Sequence, residues 1–186
     1  METLKTLAMM MKKPQYMNLS VVGSPTINNG VVSGFSIDDY LTMQSINSQD
    51  VDELVVKFKI NSSGVTQNVN IPIFNSNAIK IQATTTSSTS GFYYTQFQIP
   101  AFSFVQARAY LTFDNWHWIK YTNDESMMRA YYSSDGITWT LGQEKSSVGM
   151  NTSGTTNIGN SNFETGEIDF NNSYIVKNGT KYIFTL

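Results

Sequence analysis

The chain has no cysteine, one histidine, four prolines and few charges. Without cysteine there is no disulfide framework, no thiolate nucleophile and no Cys-ligated zinc or iron–sulfur site. The single histidine, His117, excludes a multi-histidine metal centre. Only 14% of the 186 residues are charged, and twelve basic against fourteen acidic side chains leave a formal charge of -2. That balance gives no basic groove for nucleic acid. No apolar run approaches the roughly 18 residues that cross a bilayer as a helix, so no membrane insertion is expected. What remains is polar without charge. There are 21 Ser, 20 Thr and 18 Asn residues, a composition suited to turns and solvated sheet surfaces, while three Trp, ten Tyr and eleven Phe supply a core. The length predicts one domain able to bury about two-thirds of its unfolded surface without staples.

The first sixteen residues stand apart and are expected to form a leader. Leu4, Leu7, Ala8 and Met11 share one helical face, and Pro14 would end such a helix. Lys12 and Lys13 follow the apolar part, the reverse of the order in an export signal. The segment reads either as a frayed leader or as a short attachment helix, its Met side chains adapting to an irregular partner surface.

From Met17 to Leu186 the pattern is that of strands. Asp52–Ile60 places Leu54, Val56, Phe58 and Ile60 on one face and Glu53, Val55, Lys57 and Lys59 on the other, a half-buried strand with one wet or partner-facing side. Trp116, Trp118 and Lys120 alternate with His117, Ile119 and Tyr121 in the same way. Turn signals recur at Asn28-Asn29-Gly30, Asn61–Gly64, Asn75–Asn77, Ser133–Gly136 and Asn178-Gly179. Further strands are predicted at 69–74, 78–83, 92–99, 105–113, 128–132, 138–141, 168–170 and 174–176. Nothing repeats at a fixed period and no linker divides the chain, so the expectation is an all-β sandwich of two antiparallel sheets, of jelly-roll type.

Two phrases carry a family likeness. Trp118–Tyr121 followed by Arg129–Thr140, with its Ser133-Ser134-Asp135-Gly136-Ile137-Thr138-Trp139 hairpin, resembles the concanavalin A-like (laminin G-like) sandwich. The run Gly166-Glu167-Ile168-Asp169-Phe170 through Ser173-Tyr174-Ile175 to Asn178-Gly179 is similar to the ending of such domains in phage tail, fibre and baseplate proteins. Gly30–Phe35 and Glu53–Phe58 match the opening of the same domains. The resemblance covers residues 17–186 with a weak middle, and it implies a fold more than an activity.

Asp135 and Gly136 suit a tight turn and Asn178-Gly179 a hairpin corner, which makes them structural. Trp139 is expected in the core or against Tyr131 across the hairpin, and Asp169 is expected to point outward between Ile168 and Phe170. Carboxylate catalysis needs two acids about 5–9 Å apart across a cleft. The E-x-D-x-x-E string of glucanases with this fold is missing, and only Glu167 and Asp169 share a face. His117 has no serine elbow near it. No catalytic residue, cofactor or metal is therefore expected. Asp114, Asn115, Asn123, Asp124 and Glu125 carry oxygens that a calcium ion would use, but they flank one strand at opposite ends. Sugar binding asks for an exposed aromatic platform with nearby amides, and Tyr93, Tyr94, Asn115, Trp116, His117, Trp118 and Tyr121 are the candidates. The two alternating sets around Trp116–Tyr121 cannot both be buried.

These readings converge on a non-enzymatic structural protein of a phage particle (tail, baseplate or head fibre) that recognises a host surface glycan or bridges the virion. The resemblance implies a homo-oligomer, a trimer for preference, joined to other virion proteins through its N-terminal segment. The rival expectation is a free or secreted carbohydrate-binding module.

Overall fold

Period-two alternation of apolar side chains decides the architecture, since it gives each strand one face to bury. The computed structural model describes residues 15–63, 65, 70–85, 92–99, 103–124, 126–146, 152–159 and 163–186. Among them the strands are, in chain order, β1 (Gln15–Val22), β2 (Thr26–Asn28), β3 (Val31–Ser33), β4 (Tyr40–Asn47), β5 (Val51–Ile60), β6 (Asn70–Asn75), β7 (Lys80–Thr85), β8 (Phe92–Ile99), β9 (Ser103–Thr112), β10 (His117–Asn123), β11 (Met127–Ser133), β12 (Thr140–Ser146), β13 (Ser153–Ile158), β14 (Gly166–Lys177) and β15 (Thr180–Thr185). One 3-10 turn, Ser48–Asp50, interrupts them, and the described residues contain no α-helix.

The strands form two layers. The first runs β12-β11-β10-β5-β14-β15-β1, with β3 and β2 added beside the start of β14. The second runs β1-β4-β13-β6-β7-β8-β9. Strand β1 belongs to both. Gln15–Asn18 pair with β15, and Leu19–Val22 pair with β4. The β1–β15 pair is parallel, a departure from the all-antiparallel expectation. It arises because β1 enters at the sheet edge running in the same direction as the last strand, then crosses to the second layer. The sandwich therefore begins at Gln15, two residues before the expected boundary, and the rest of the expected leader, residues 1–14, lies outside the described residues.

The core sits between the layers. Leu54, Val56, Phe58 and Ile60 of β5 and Ile168 and Phe170 of β14 meet Leu41, Met43, Ile73, Ile81 and Tyr93 from the second layer, all of them buried. Tyr93 bridges the layers, its ring centroid 6.1 Å from Phe58 and 6.2 Å from His117.

The expected turns are present where they fall on described residues, and Gly64 of the Asn61–Gly64 turn lies outside them. Asn29 and Gly30 have φ of 48° and 78°, and Asn178 and Gly179 have 47° and 71°, the left-handed pairs that a two-residue hairpin needs. The two short strands expected at 168–170 and 174–176 are one strand, β14, whose register against β5 shifts between Asp169 and Tyr174. Side-chain bonds close that bulge. The Ser173 hydroxyl donates to the Asp169 carbonyl at 2.7 Å and accepts from the Lys57 backbone N–H at 2.9 Å. Asn171 donates from its amide to the Asn29 carbonyl at 2.8 Å, which docks the β2–β3 turn on the bulge. Gly30 must lack a side chain here, since a Cβ would lie 2.5 Å from the Asn171 amide.

Candidate functional site

Strand β10 shows which of its two aromatic sets is buried. His117, Ile119 and Tyr121 face the core, while Trp118 and Lys120 face away from it, half-buried, with Trp116 beside them. His117, Tyr121 and Tyr93 therefore lie in the core and not on the exposed platform expected of them. Their rings fill the space between the sheets. His117 is 8% exposed, and its Nε2–H donates to the Thr112 carbonyl at 2.9 Å. Burial pushes the His117 pKa down, against a smaller upward pull from that bond. Burial also raises the Tyr93 and Tyr121 phenols well above their ordinary value. Asn115 is a turn residue whose amide donates to the Thr112 hydroxyl at 3.1 Å and the Phe113 carbonyl at 3.0 Å. The Tyr94 side chain lies outside the described residues.

The outer face of the first layer is where the expected aromatic platform stands. Strand pairing puts Leu141, Tyr131, Lys120, Val55, Tyr174, Ile183 and Tyr16 in one row across β12, β11, β10, β5, β14, β15 and β1. The adjacent row pairs Trp118 with Lys57 and Lys57 with Asp169, and the next pairs Lys59 with Glu167. Lys57 Nζ lies 2.8 Å from Asp169 Oδ2 and 4.8 Å and 5.0 Å from the Trp118 and Trp116 ring centroids. Lys59 Nζ lies 2.7 Å from Glu167 Oε1 and 5.3 Å from the Trp116 ring. Lysine ammonium groups thus brace the tryptophans from beneath through cation–π contact.

The β11–β12 hairpin folds over this face. Asp135 Oδ1 accepts from the Ile137 and Thr138 backbone N–H groups, both at 2.8 Å, and from the Ser133 hydroxyl at 2.8 Å. Those bonds hold its carboxyl well below the usual range. Gly136, at φ of 74°, lies flat on Trp118, and a Cβ there would come within 3.0 Å of the indole. Trp139 is not in the core, contrary to expectation. It stands half-buried on the outer face, because the hairpin turns it toward Lys120, whose Nζ lies 4.3 Å from its ring and 4.9 Å from that of Tyr131. Lys120 sits between the two rings that were expected to touch.

Between these elements lies a cleft of about 260 Å³. Val55 forms its floor, Trp118, Gly136 and Trp139 one wall, and Tyr174 with Ile183 the other. Asn171, Asn172, Ser173 and Lys181 supply its polar lining. All three tryptophans of the chain are on this face. The floor and far wall were not among the expected site residues. Val55 stands on the outer face of β5, buried under the side chains around it, but its neighbours across the sheet follow from register, and Asn171–Tyr174 follow from the bulge.

The acids of the face are all engaged. Burial pushes the Asp169 and Glu167 pKa values up, but the Lys57 and Asn172 bonds to Asp169 and the Lys59 and Asn61 bonds to Glu167 outweigh it, leaving both lowered. Neither is held protonated at neutral pH, as a general acid must be. Glu53 Oε1 accepts from the Tyr174 hydroxyl at 2.7 Å.

The loop oxygens considered for calcium do not fit a cation. Asp114 and Asp124 flank β10 at opposite ends. Asp114 Oδ1 accepts from the Ser62 N–H, and Asp124 is paired with Arg129 Nη1 at 2.6 Å and bonded by Ser126 and Met127. Glu125 lies outside the described residues. No group of three or more metal-ligating His, Asp or Glu occurs among the described residues, and no helix among them is long and apolar enough to cross a membrane.

No family model and no curated protein matches the chain. Among solved structures it is similar to the exoplasmic/lumenal domain of VIP36. The Ca2+-bound form aligns with a TM-score of 0.53 and 11% identity over 90% of this chain and 84% of that one. The Ca2+/Man-bound form aligns with a TM-score of 0.51 and 12% identity over 81% and 80%. An HCR/D mutant aligns with a TM-score of 0.51 and 14% identity over 81% of this chain, which spans 41% of the HCR/D chain. At such identities the likeness establishes the fold, a concanavalin A-like β-sandwich, as the motif phrases imply.

Proposed function

We propose that the protein is a non-enzymatic carbohydrate-binding module and that the sugar lies in the cleft on the outer face of the first sheet. The observation that carries this reading is the pairing of apolar ring faces, Trp118, Trp139 and Tyr174, with the amides of Asn171 and Asn172 around one floor. Sugar rings present apolar C–H faces and hydroxyl rims, and a cleft of aromatic walls and fixed amides matches both. The Ca2+/Man-bound form of VIP36, a protein of the same fold, supports the ligand class. The engaged state of Asp169 and Glu167 supports binding without hydrolysis.

Intrinsic fluorescence tests the reading directly, since every tryptophan lies on this face. Titration with a panel of neutral and acidic oligosaccharides is expected to give a saturable change with at least one of them. Trp139→Ala is expected to weaken that ligand about tenfold or more, the loss of one stacking wall, while melting close to the parent. A panel with no saturable member, or an unchanged affinity in Trp139→Ala, overturns it.

Within this reading, a place on a phage particle is supported by the C-terminal motif phrases alone. A trimer in solution that collapses when residues 1–14 are removed is the outcome that role requires. A monomer in both forms favours a free binding module.

A further inference from the structure

We infer that the cleft takes an acidic sugar and that Lys181 receives its carboxylate, an inference that rests on the carbohydrate reading above. The lysines of the outer face fall into two classes. Lys57 and Lys59 are neutralised by Asp169 and Glu167. Lys120 and Lys181 have no carboxylate within 4.0 Å among the described residues and lie instead on aromatic rings. Lys181 Nζ is 3.6 Å from the Tyr174 ring centroid and lines the cleft. The opposite wall, Trp139, carries the Lys120 ammonium at 4.3 Å. Each aromatic wall therefore bears an ammonium group that no carboxylate among the described residues pairs within 4.0 Å.

The hydrogen-bonding inventory points the same way. A neutral sugar offers hydroxyl donors and is usually met by carboxylate acceptors, yet Asp169, Glu167 and Glu53 are bonded to Lys57, Lys59 and the Tyr174 hydroxyl. An ammonium has three donors and no acceptor, whereas an ionised carboxylate is acceptor only. The ring beneath Lys181 covers one side of the ammonium and fixes its position without neutralising it. Carboxylate oxygens of a uronic or sialic type of sugar complement that group, and the pair is a charge-assisted bond, stronger than a bond between neutral partners.

The test uses the full-length protein and the tryptophan signal. The probes are tri-galacturonic acid and its methyl ester, together with sialylated oligosaccharides and their desialylated forms. At least one acid is expected to bind about tenfold or more tightly than its uncharged counterpart, and to weaken as salt is raised. Lys181→Met, which keeps the aliphatic stem on Tyr174, is expected to erase that preference and its salt dependence, and Lys181→Arg to restore both. Equal binding of charged and uncharged forms overturns the inference while leaving the carbohydrate reading standing, as does an acid preference untouched by Lys181→Met. If neither these probes nor the broader panel binds, both readings fall.

Discussion

The two faces of strand β10 are built from similar residues and behave in opposite ways. Inward, His117, Ile119 and Tyr121 are closed in by Tyr93, Phe58 and the second sheet. Outward, Trp118 and Lys120 meet no second sheet, and the aromatic surface is propped by lysines and roofed by the β11–β12 hairpin. Aromatic content alone does not distinguish a core from a binding face. What marks the outer rings is the charge beside them: they are arranged around four lysine ammonium groups, Lys57, Lys59, Lys120 and Lys181. A ring stacked on an ammonium keeps an exposed side at little cost, because the cation remains hydrated.

The sharpest way to separate the faces is to damage each in turn. Phe58→Ala opens a cavity in the packed interior and is expected to cost about 3–5 kcal/mol, read as a large drop in the denaturation midpoint. On the outer face the comparable loss is electrostatic. Asp169→Asn leaves the largely covered Lys57 ammonium without its counter-charge and weakens the bulge, an expected cost of about 2–3 kcal/mol. The same pair predicts an acid limb. The Asp169 pKa is lowered in the folded state, so its stabilisation is present above the unfolded value near 3.8 and is lost as pH falls through the folded one. Chemical denaturation of both proteins toward low pH is expected to show a steeper loss in the parent than in Asp169→Asn. Next in size is Gly136→Ala, which forces a Cβ onto Trp118 at a left-handed φ and is expected to cost about 1–2 kcal/mol. Its tryptophan emission is expected to shift, because the hairpin must lift from the indole. An unshifted spectrum would mean that the hairpin does not hold Trp118.

Much of this was legible in the sequence, and the limits are physical. The alternation of β5 and β10, the Asn-Gly corners and the DG-x-x-W hairpin are local signals, and each appears where expected. That one of the two β10 sets must face outward is also local logic. Which set does so depends on the partner strands, because His117 and Trp118 are both amphipathic and only the docking of Tyr93 and Phe58 selects the inner one. Trp139 was misplaced for the same reason. The hairpin phrase fixes the turn at Asp135 and Gly136 but says nothing of how the roof tilts, and it is Gly136 lying on Trp118 that turns Trp139 to the cleft. The far wall was illegible because residues 171–174 acquire their position from a bulge, in which the step from Asp169 to Tyr174 on β14 opposes only that from Lys57 to Val55 on β5, and which is written in the bonds of Ser173 and Asn171 to distant backbone.

The smallest effect expected is also the one that probes the inner face without changing its volume much. His117 is the sole imidazole in the chain, and burial lowers its pKa from 6.5, with its bond to the Thr112 carbonyl pulling the other way. The unfolded chain therefore binds a proton at a higher pH than the native one. Between the two values the unfolded state holds more protons, so stability is full above about pH 6.5 and declines as pH falls through the lowered native value. The Tyr93 ring stands edge-on to the imidazole at 6.2 Å, and no ion pair among the described residues involves His117, so no carboxylate reverses the sign. Denaturation midpoints measured between about pH 8 and pH 5 should slope gently downward toward acid. In His117→Phe the slope over that window should flatten, while ligand binding, made by the other side of the same strand, should stay as it was. A slope that survives the substitution would place the titrating group elsewhere, and a binding loss in His117→Phe would show that the two faces of β10 are not independent.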